Sequence, residues 1–479
     1  MQLEALSVLS SDDITQIHEA TLELLEECGV QIGSARMLEL LAGRGVAVDS
    51  ERGVARFPRA CVEDALGLIP PRFDVFDREG QPAFVLGDGV PKIAAGHNAV
   101  FWVDSDTGET RPSRVADVEL FARICEALPS IDMIGIPVMP QDVADPAASL
   151  IYGVKACIEN SRKPIFFSTD QPAVNRTVIA MLAAAFKGDL AGQPYGISQL
   201  SPTSPLFWEG SVLEALIETV EADVPLAILP EPNAGVSAPY SLAGLLTVNN
   251  VECLSGLVMA QLVRPGAKVL YANSWTTTDM RTGYALVGSA ETTACRIAGA
   301  QLARFYHVPS HTTAPNSDNH AHDEQNAWEK ALSLFCAVGA GNDLIVNCGM
   351  FATGMTCSHE QLVMDEEMAA FARRIATGIA VDRASIAQDL IREIGPHGTG
   401  YLTAPHTLER LAGDEYLEPR VSVRGPRALW EAGGSKDSYR MAQDKVREYA
   451  REPAPPPLDA RRSARLEEVL ASFGTAPPR

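Results

Sequence analysis

SLAGLLTVNNVECLSGLVMAQLVRPG (residues 241–266) reads as a long apolar helix, and KVLYAN (268–273) as the short buried strand after it. The polar turn Asp279-Met280-Arg281-Thr282-Gly283 follows. Then come a second helix, AETTACRIAGAQLARFYHV (290–308), and the polar run NSDNHAHDEQNAWE (316–329). Each helix–strand unit ends in a dense polar loop. Barrel enzymes display their chemistry in this way, on the loops at one face.

The same alternation extends in both directions. The other strand-like runs are KIAAGHNAVFWV (92–103), DMIGIPV (132–138), KPIFFST (163–169), YGISQLSP (195–202), PLAILP (225–230), PSHTTA (309–314) and DLIVNCGM (343–350). Helical patterns fill 114–128, 146–160, 172–187, 209–222, 242–263, 289–306, 323–340 and 359–378. The strands are continuous apolar runs, as strands buried on both faces are. Eight units over about 290 residues predict an α/β fold, a (β/α)8 TIM barrel. A doubly wound open sheet shares the alternation, but no G-x-G-x-x-G or P-loop follows any strand, which weighs against a nucleotide-binding sheet. Residues 1–90, with a helix start at Ser11-Asp12-Asp13 and turns at Pro70-Pro71 and Glu79-Gly80, are expected to form an N-terminal helical cap. Residues 91–380 form the barrel. Residues 381–479 form a C-terminal extension, with a proline-rich break at Pro453–Pro457 and a last surface helix over DARRSARLEEVLASFG (459–474).

A net charge of −22 argues against nucleic acid and anionic membrane as partners, because both repel an acidic surface. It is compatible with a small cationic substrate. The nine cysteines are scattered without a CxxC pair, so they read as reduced, core-filling thiols of a cytoplasmic protein. The N-terminus shows no basic region followed by an apolar run, hence no secretory signal. Asn249, Asn250 and Glu252 interrupt the longest apolar run, which weighs against a membrane span. A homo-oligomer is expected for a barrel of this size.

Barrel active sites sit where strands end, so polar and aromatic residues just after each run are the candidates. They include His97, Asn98, Gln199, Glu231, Asp279, Arg281, Thr313, Asn316, Asp318, His320, His322 and Asn347. Aromatics are scarce, at 6%, yet Trp102, Phe167, Trp208, Tyr240 and Trp275 all fall near strand ends. A box of aromatic faces is a receptor for a quaternary ammonium group, so these predict a cation cage, the alternative being plain packing of the barrel mouth. Asp279 and Arg281 are either a loop-fixing ion pair or a fork for a substrate carboxylate. His320-Ala321-His322 with Cys348 keeps a zinc-dependent barrel hydrolase or methyltransferase open, although the H-x-H falls after the strand, where the two rings do not point the same way. No G-x-S-x-G elbow is present, and no cysteine has a base set beside it.

The blocks IHEATLELLEECGV, SLAGLLTVNNVECLSGLVMAQLVRPGAKVLY, DMRTG, ETTACRIAGAQLARFYHVP, LVMDEEMAAFARRIATGI and REIGPHGTGYLTAPHT occur in the order and at the spacing of a known group. The chain resembles the trimethylamine methyltransferase superfamily, in its non-pyrrolysine branch of quaternary-amine:corrinoid methyltransferases. The pyrrolysine branch carries that residue in a T-D-S-X-x-x-D-x-Q pattern. Here the matching run is Ser317 to Gln325, with His320 in the pyrrolysine position. This departure argues against trimethylamine itself as substrate. Where relatives tend to show a histidine at the last strand, this sequence has Val346-Asn347-Cys348. The resemblance implies methyl transfer from a betaine-like quaternary amine to Co(I) of a corrinoid carried by a separate cognate protein, with no tightly bound metal. It makes Asp318, His320 and Asn347 catalytic candidates. His97, Asn98, Phe167, Trp208, Tyr240, Trp275, Asp279 and Arg281 would bind substrate. Asn316, His320, His322 and Gln325 would meet the corrinoid near the barrel axis. A non-catalytic binder of quaternary amines remains as a third reading.

Overall fold

In the computed structural model, which describes residues 6–473 other than 399 and 414, eight parallel strands close into a barrel. They are β1 (Lys92–Ala95), β2 (Met133–Gly135), β3 (Ile165–Ser168), β4 (Gly196–Leu200), β5 (Leu226–Ile228), β6 (Val269–Asn273), β7 (Ser310–Thr313) and β8 (Leu344–Cys348). Each pairs with the next in sequence, and β8 closes on β1. The outer helices are α1 (Val115–Ala127), α2 (Ser149–Asn160), α3 (Pro172–Ala185), α4 (Gly210–Glu221), α5 (Leu242–Val263), α6 (Ala290–Phe305), α7 (Glu324–Gly339) and α8 (His359–Thr377). The eight expected units are all present. This is a TIM barrel.

Alternation along each strand decides what faces the axis. Ala94, Met133, Phe166, Ile197, Ala227, Leu270, Ala272, Leu344 and Val346 form one interior cluster. Phe73, Val75 and Leu86 of the hairpin Phe73–Phe76/Pro82–Leu86 join it, so this hairpin plugs the barrel. Their neighbours in sequence, such as Phe167, Val269 and Tyr271, pack outward into the helix layer. The first strand ends at Ala95, well short of Val103. Gly96 lies against Met350, where a Cβ would fall 2.3 Å from the sulfur, and Asn98 adopts φ 60°. Phe101–Val103 then starts a separate small sheet with Thr110–Pro112 and Thr356–Cys357.

α5 is long and apolar enough to cross a membrane by length and composition. Here it is a core helix, apolar on all sides because it is enclosed on all sides. It packs between β5 and β6 and the N-terminal helices Ser11–Glu27 and Arg59–Gly67. Its buried Asn250 donates to Thr21 Oγ1 at 2.8 Å and accepts from Tyr271 Oη at 2.9 Å, which satisfies the amide inside the core. Gly256 lets α5 approach β5. A Cβ there would lie 2.7 Å from both Trp208 Cζ2 and Ile228 Cγ2. Gly256→Ala is therefore expected to destabilise the fold by about 1–3 kcal/mol through overpacking. An unchanged thermal midpoint would show that the α5–β5 contact has slack.

Before the barrel, strands Ala47–Asp49, Val54–Arg56 and Val30–Ile32 form a sheet that takes Phe207–Trp208 as its fourth member. After it, helix Ser438–Tyr449 packs on α8, and helix Ala460–Phe473 packs on α3. Arg462 anchors the last helix, donating to the carbonyls of Ala185 and Arg78 and pairing with Glu79. Residues 1–5 and 474–479 of the expected cap and extension lie outside the described residues.

Candidate active site

A cavity of about 430 Å³ opens at the C-terminal ends of the strands. A second, of about 450 Å³, adjoins it beside the loops after β2, β3 and β4 and shares Asn98, Ser168 and Ser201. The first is walled mainly by hydroxyls and amides, including Gln199, Ser274, Thr313, Asn316 and Asn347. Glu231, just beyond β5, is the one carboxylate among its lining residues, and no lysine or arginine lines it. A short hairpin, Thr277–Asp279/Tyr284–Leu286, brings Ala285 and Val287 over one side.

Two hydrogen-bonded chains converge on this cavity. In the first, the fully buried Arg296 of α6 donates from Nη2 to Thr313 Oγ1 at 2.8 Å. Thr313 Oγ1 lies 3.2 Å from Ser274 Oγ. Because Thr313 accepts from arginine, its own O–H is free to donate to Ser274. The chain from the buried cation thus ends at Ser274, which lines the cavity together with Glu231. Glu231 itself is exposed at the mouth. The protein wall around it raises its carboxyl, and Ser274 and the Arg296 charge oppose that rise.

The second chain links His97, Gln199 and His311. The Gln199 amide lies 3.3 Å from His97 Nε2 and 3.1 Å from His311 Nε2, and His311 Nδ1 sits 3.2 Å from Leu344 O. Phe166 packs under both rings, with centroids at 5.2 and 5.3 Å. Beside His97, Asn347 occupies a bulge between Val346 and Cys348 with φ 137°, a conformation that non-glycine residues hold only when their surroundings impose it. Its Nδ2 donates to Asn316 Oδ1 at 2.9 Å, and Asn316 Nδ2 donates to Thr313 O at 2.7 Å.

Burial pushes the His311 imidazole down to about 3 and that of His359, against Trp102, down to about 4. Unfolded histidine titrates near 6.5. The unfolded chain thus takes up protons first. The stability these neutral rings provide is complete above pH 6.5 and is lost as pH falls from there towards 4 and 3. Each ring contributes a slope of about 1.4 kcal/mol per pH unit in that window. Burial also raises Glu252 to about 7 and Asp365 to about 6, which acts the other way, so the test is a difference. The urea midpoint of His359→Gln is expected to fall less between pH 7 and pH 5 than that of the wild type, and parallel profiles would contradict neutral burial of His359.

Of the residues singled out in the sequence, His97, Asn98, Gln199, Glu231, Thr313, Asn316 and Asn347 line the cavity. The aromatic cage is not formed. Trp208 is buried outside the barrel, donating from Nε1 to Ser255 Oγ of α5 at 2.9 Å. Trp275 is buried in the same outer cluster, against Gly299 of α6, and Phe167 faces the opposite helix layer. Tyr240 lies on the rim, 60% exposed. These rings sit near strand ends in sequence, but strand alternation and helix packing turn the large ones outward. Arg281 pairs with Asp279 in its own turn, at 3.1 Å from each carboxylate oxygen, and is 89% exposed. It clamps the turn and reaches no cavity wall. Asp318 accepts from the N–H groups of Val287 and Gly288 at 2.9 and 3.0 Å and from Thr353, so it latches the hairpin to the loops after β7 and β8.

His320, expected at the axis, is exposed on the rim loop, its backbone N–H bonded to Asn319 Oδ1. His322 stacks between Phe351 and Tyr439 and meets Ser358 Oγ at 3.1 Å, away from the mouth. Gln325 donates to Glu329. Cys348 is fully buried in the barrel–helix core, its thiol held well above the usual range by burial, so the imagined zinc trio does not gather. Among the described residues no cluster of three His, Cys, Asp or Glu side chains is placed to hold a metal ion. Ser274, Arg296 and His311 were not singled out. His311 carries a signal, since a histidine of the same parity as Thr313 in a buried strand faces the axis.

The family described as trimethylamine methyltransferase (MTTB) matches residues 1–472. The trimethylamine methyltransferase MttB of Desulfitobacterium hafniense (strain DSM 10664 / DCB-2) is 30% identical over 477 residues, 98% of this chain and 95% of that one. MttB of Methanosarcina barkeri is 30% identical over 470 residues, 95% and 92% of the two chains. The glycine betaine methyltransferase of Desulfitobacterium hafniense (strain Y51) is 29% identical over 472 residues, 98% and 97%. Among solved structures, the monomethylamine methyltransferase MtmB of Methanosarcina barkeri superposes with a TM-score of 0.54 over 98% of this chain and 90% of that one. At 12% identity this is a likeness of fold alone. With a match along almost its entire length, this chain belongs to the trimethylamine methyltransferase family.

Proposed function

We propose that this protein moves a methyl group from a small quaternary amine to a reduced corrinoid carried by a partner protein. The observation that carries the reading is Glu231, the single carboxylate in a cavity otherwise lined by neutral side chains. A cation entering there meets its counter-charge. The relatives named for trimethylamine and glycine betaine share a methylated nitrogen as the group acted on.

The residues present fit a large planar partner group at the mouth. Val236, Tyr240, Met280 and Tyr284, on the loops after β5 and β6, expose apolar surface. Val100, Phe101 and Met355 do so on the loops after β1 and β8. These side chains would receive the corrinoid and its carrier. When bound, the reduced corrinoid supplies the nucleophile that accepts the methyl group. The chain's own part is to hold the N–CH3 bond towards the mouth and to exclude water from it. Loss of the methyl turns the cation into a neutral amine. Glu231, exposed at the mouth, takes up a proton from solvent and passes it to the amine nitrogen as the product leaves.

Anaerobic incubation with Co(I)-corrinoid protein and a panel of quaternary amines tests this, through the absorption of methyl-cobalt. Absence of that signal with every amine would overturn it, and binding without transfer would assign a binding role. Self-association forms part of the proposal. Helices Arg383–Ile386, Gln388–Ile394, Pro405–Leu411 and Arg427–Ala432 bury no side chain of their own, and Leu402, Leu408 and Leu429 are largely exposed. Sedimentation is expected to give a species larger than the monomer, and a monomer at micromolar concentration would contradict it.

A further inference from the structure

The protons of the His97–Gln199–His311 chain are fixed by its far end. A backbone carbonyl only accepts, so His311 Nδ1, 3.2 Å from Leu344 O, carries the proton. His311 is fully buried and neutral, which leaves its Nε2 bare. With the Gln199 oxygen turned towards that nitrogen, two acceptors would face each other at 3.1 Å. The amide is therefore turned so that Gln199 donates to His311 and offers its oxygen to His97, an exchange of O and N that leaves the side chain's shape unchanged. His97 Nε2 must then donate to that oxygen. His97 Nδ1 is left as a bare lone pair, and it has no hydrogen-bond partner in the folded protein. A second carbonyl fixes the neighbouring amides. Asn316 donates to Thr313 O, so its oxygen faces Asn347 Nδ2, and Asn347 turns its own oxygen the other way. Two anchored chains thus bring two acceptors, His97 Nδ1 and Asn347 Oδ1, to one side of the cavity.

We infer that the amine bound here carries a hydrogen-bond donor, a hydroxyl or an N–H, close to its methylated nitrogen, and that His97 selects it through its Nδ1 lone pair. The inference rests on the quaternary-amine reading and narrows it. A bare carboxylate at this place would face two acceptors and be disfavoured. Donor-bearing cations fit better than a simple betaine. A site built to hydrogen-bond a substrate group rejects the analogue that lacks it, because its own polar atoms are left unpaired.

Two measurements on the full chain test this, neither needing the corrinoid partner. Calorimetry compares choline with propyltrimethylammonium, in which a methyl replaces the hydroxyl. Choline is expected to bind at least about tenfold tighter. The preference is expected to vanish in His97→Phe and to weaken in Gln199→Leu, where the ring stays but its tautomer is released. Equal affinities for the wild-type protein would overturn the inference. The second readout is the tautomer of His97, from proton–nitrogen correlations of histidine-labelled protein, assigned by the signal that His97→Phe removes. Protonation at Nε2 supports the inference, and protonation at Nδ1 overturns it whether or not any amine binds. A protein that binds neither amine would bring down the quaternary-amine reading instead, and the acceptor assignment would then be decided by the tautomer alone.

Discussion

Glu231→Gln is expected to weaken quaternary-amine binding by about 100-fold and to lower methyl transfer at subsaturating amine by at least as much. Two opposite charges about 5 Å apart, at an effective dielectric near 20, attract by about 3 kcal/mol, which is roughly two powers of ten in affinity. Glutamine keeps the shape and removes only the charge. The loss should therefore appear in affinity, with the fold intact. A neutral isostere of the amine, carbon in place of nitrogen, should bind wild type and variant alike. If the variant binds the cation as well as wild type does, the cation is held elsewhere, and the adjoining cavity with Asp170 and Glu209 becomes the place to look. Arg296 sharpens the argument. Its Nε and Nη1 have no hydrogen-bond partner, and burial brings its guanidinium down to about 10. The guanidinium is a strained, costly charge unless a carboxylate in the mouth answers it.

The barrel was legible because its cause is simple. Strands covered on both faces are apolar throughout, and α5, enclosed on all sides, is apolar all round. The matching family blocks pointed to the same architecture. The site was less legible, and the aromatic residues explain why. Phe166 and Phe167 are adjacent, equally apolar and equally buried, but only Phe166 faces the axis. A one-residue difference in strand parity exchanges their roles, and composition cannot register it. Trp208 and Trp275 were drawn outward by room in the helix layer that Gly256 and Gly299 leave. The polar groups behind the cavity wall come from places that look like core. Gln199 stands at a strand end and is a candidate on that ground, and His311 shares the parity of Thr313. Arg296 is a cation among the small side chains of α6, and its signal is the cost of burying it, visible only once the burial is known. His320 drew attention by its position in a motif, and geometry places it on the rim.

Lys330→Met is expected to cost about 3–5 kcal/mol of stability, the largest effect of any single change outside the cavity. Lys330 of α7 and Asp365 of α8 are both fully buried, 3.1 Å apart. The ammonium also donates to Pro315 O at 3.2 Å and to Met350 O, and Asp365 accepts from Gly349 N–H at 2.6 Å. Methionine fills the space but leaves a carboxylate without its counter-charge in the core. Replacing both partners, Lys330→Met with Asp365→Leu, removes the unpaired charge and should recover part of the loss. It cannot recover all of it. The carbonyls of Pro315 and Met350 and the N–H of Gly349 stay buried without partners, and each costs about 1–3 kcal/mol. Urea denaturation of the two single variants and the double separates these contributions, and full recovery in the double would show that the carbonyls find water. The same carbonyls border the residues that shape the mouth, since Asn316 follows Pro315 and Asn347 precedes Met350 by three positions. The single variant should therefore bind cations more weakly even where it is folded. A normal affinity in a destabilised protein would mean that the pair supports the fold alone and that Asn316 and Asn347 are held by the bulge and by each other.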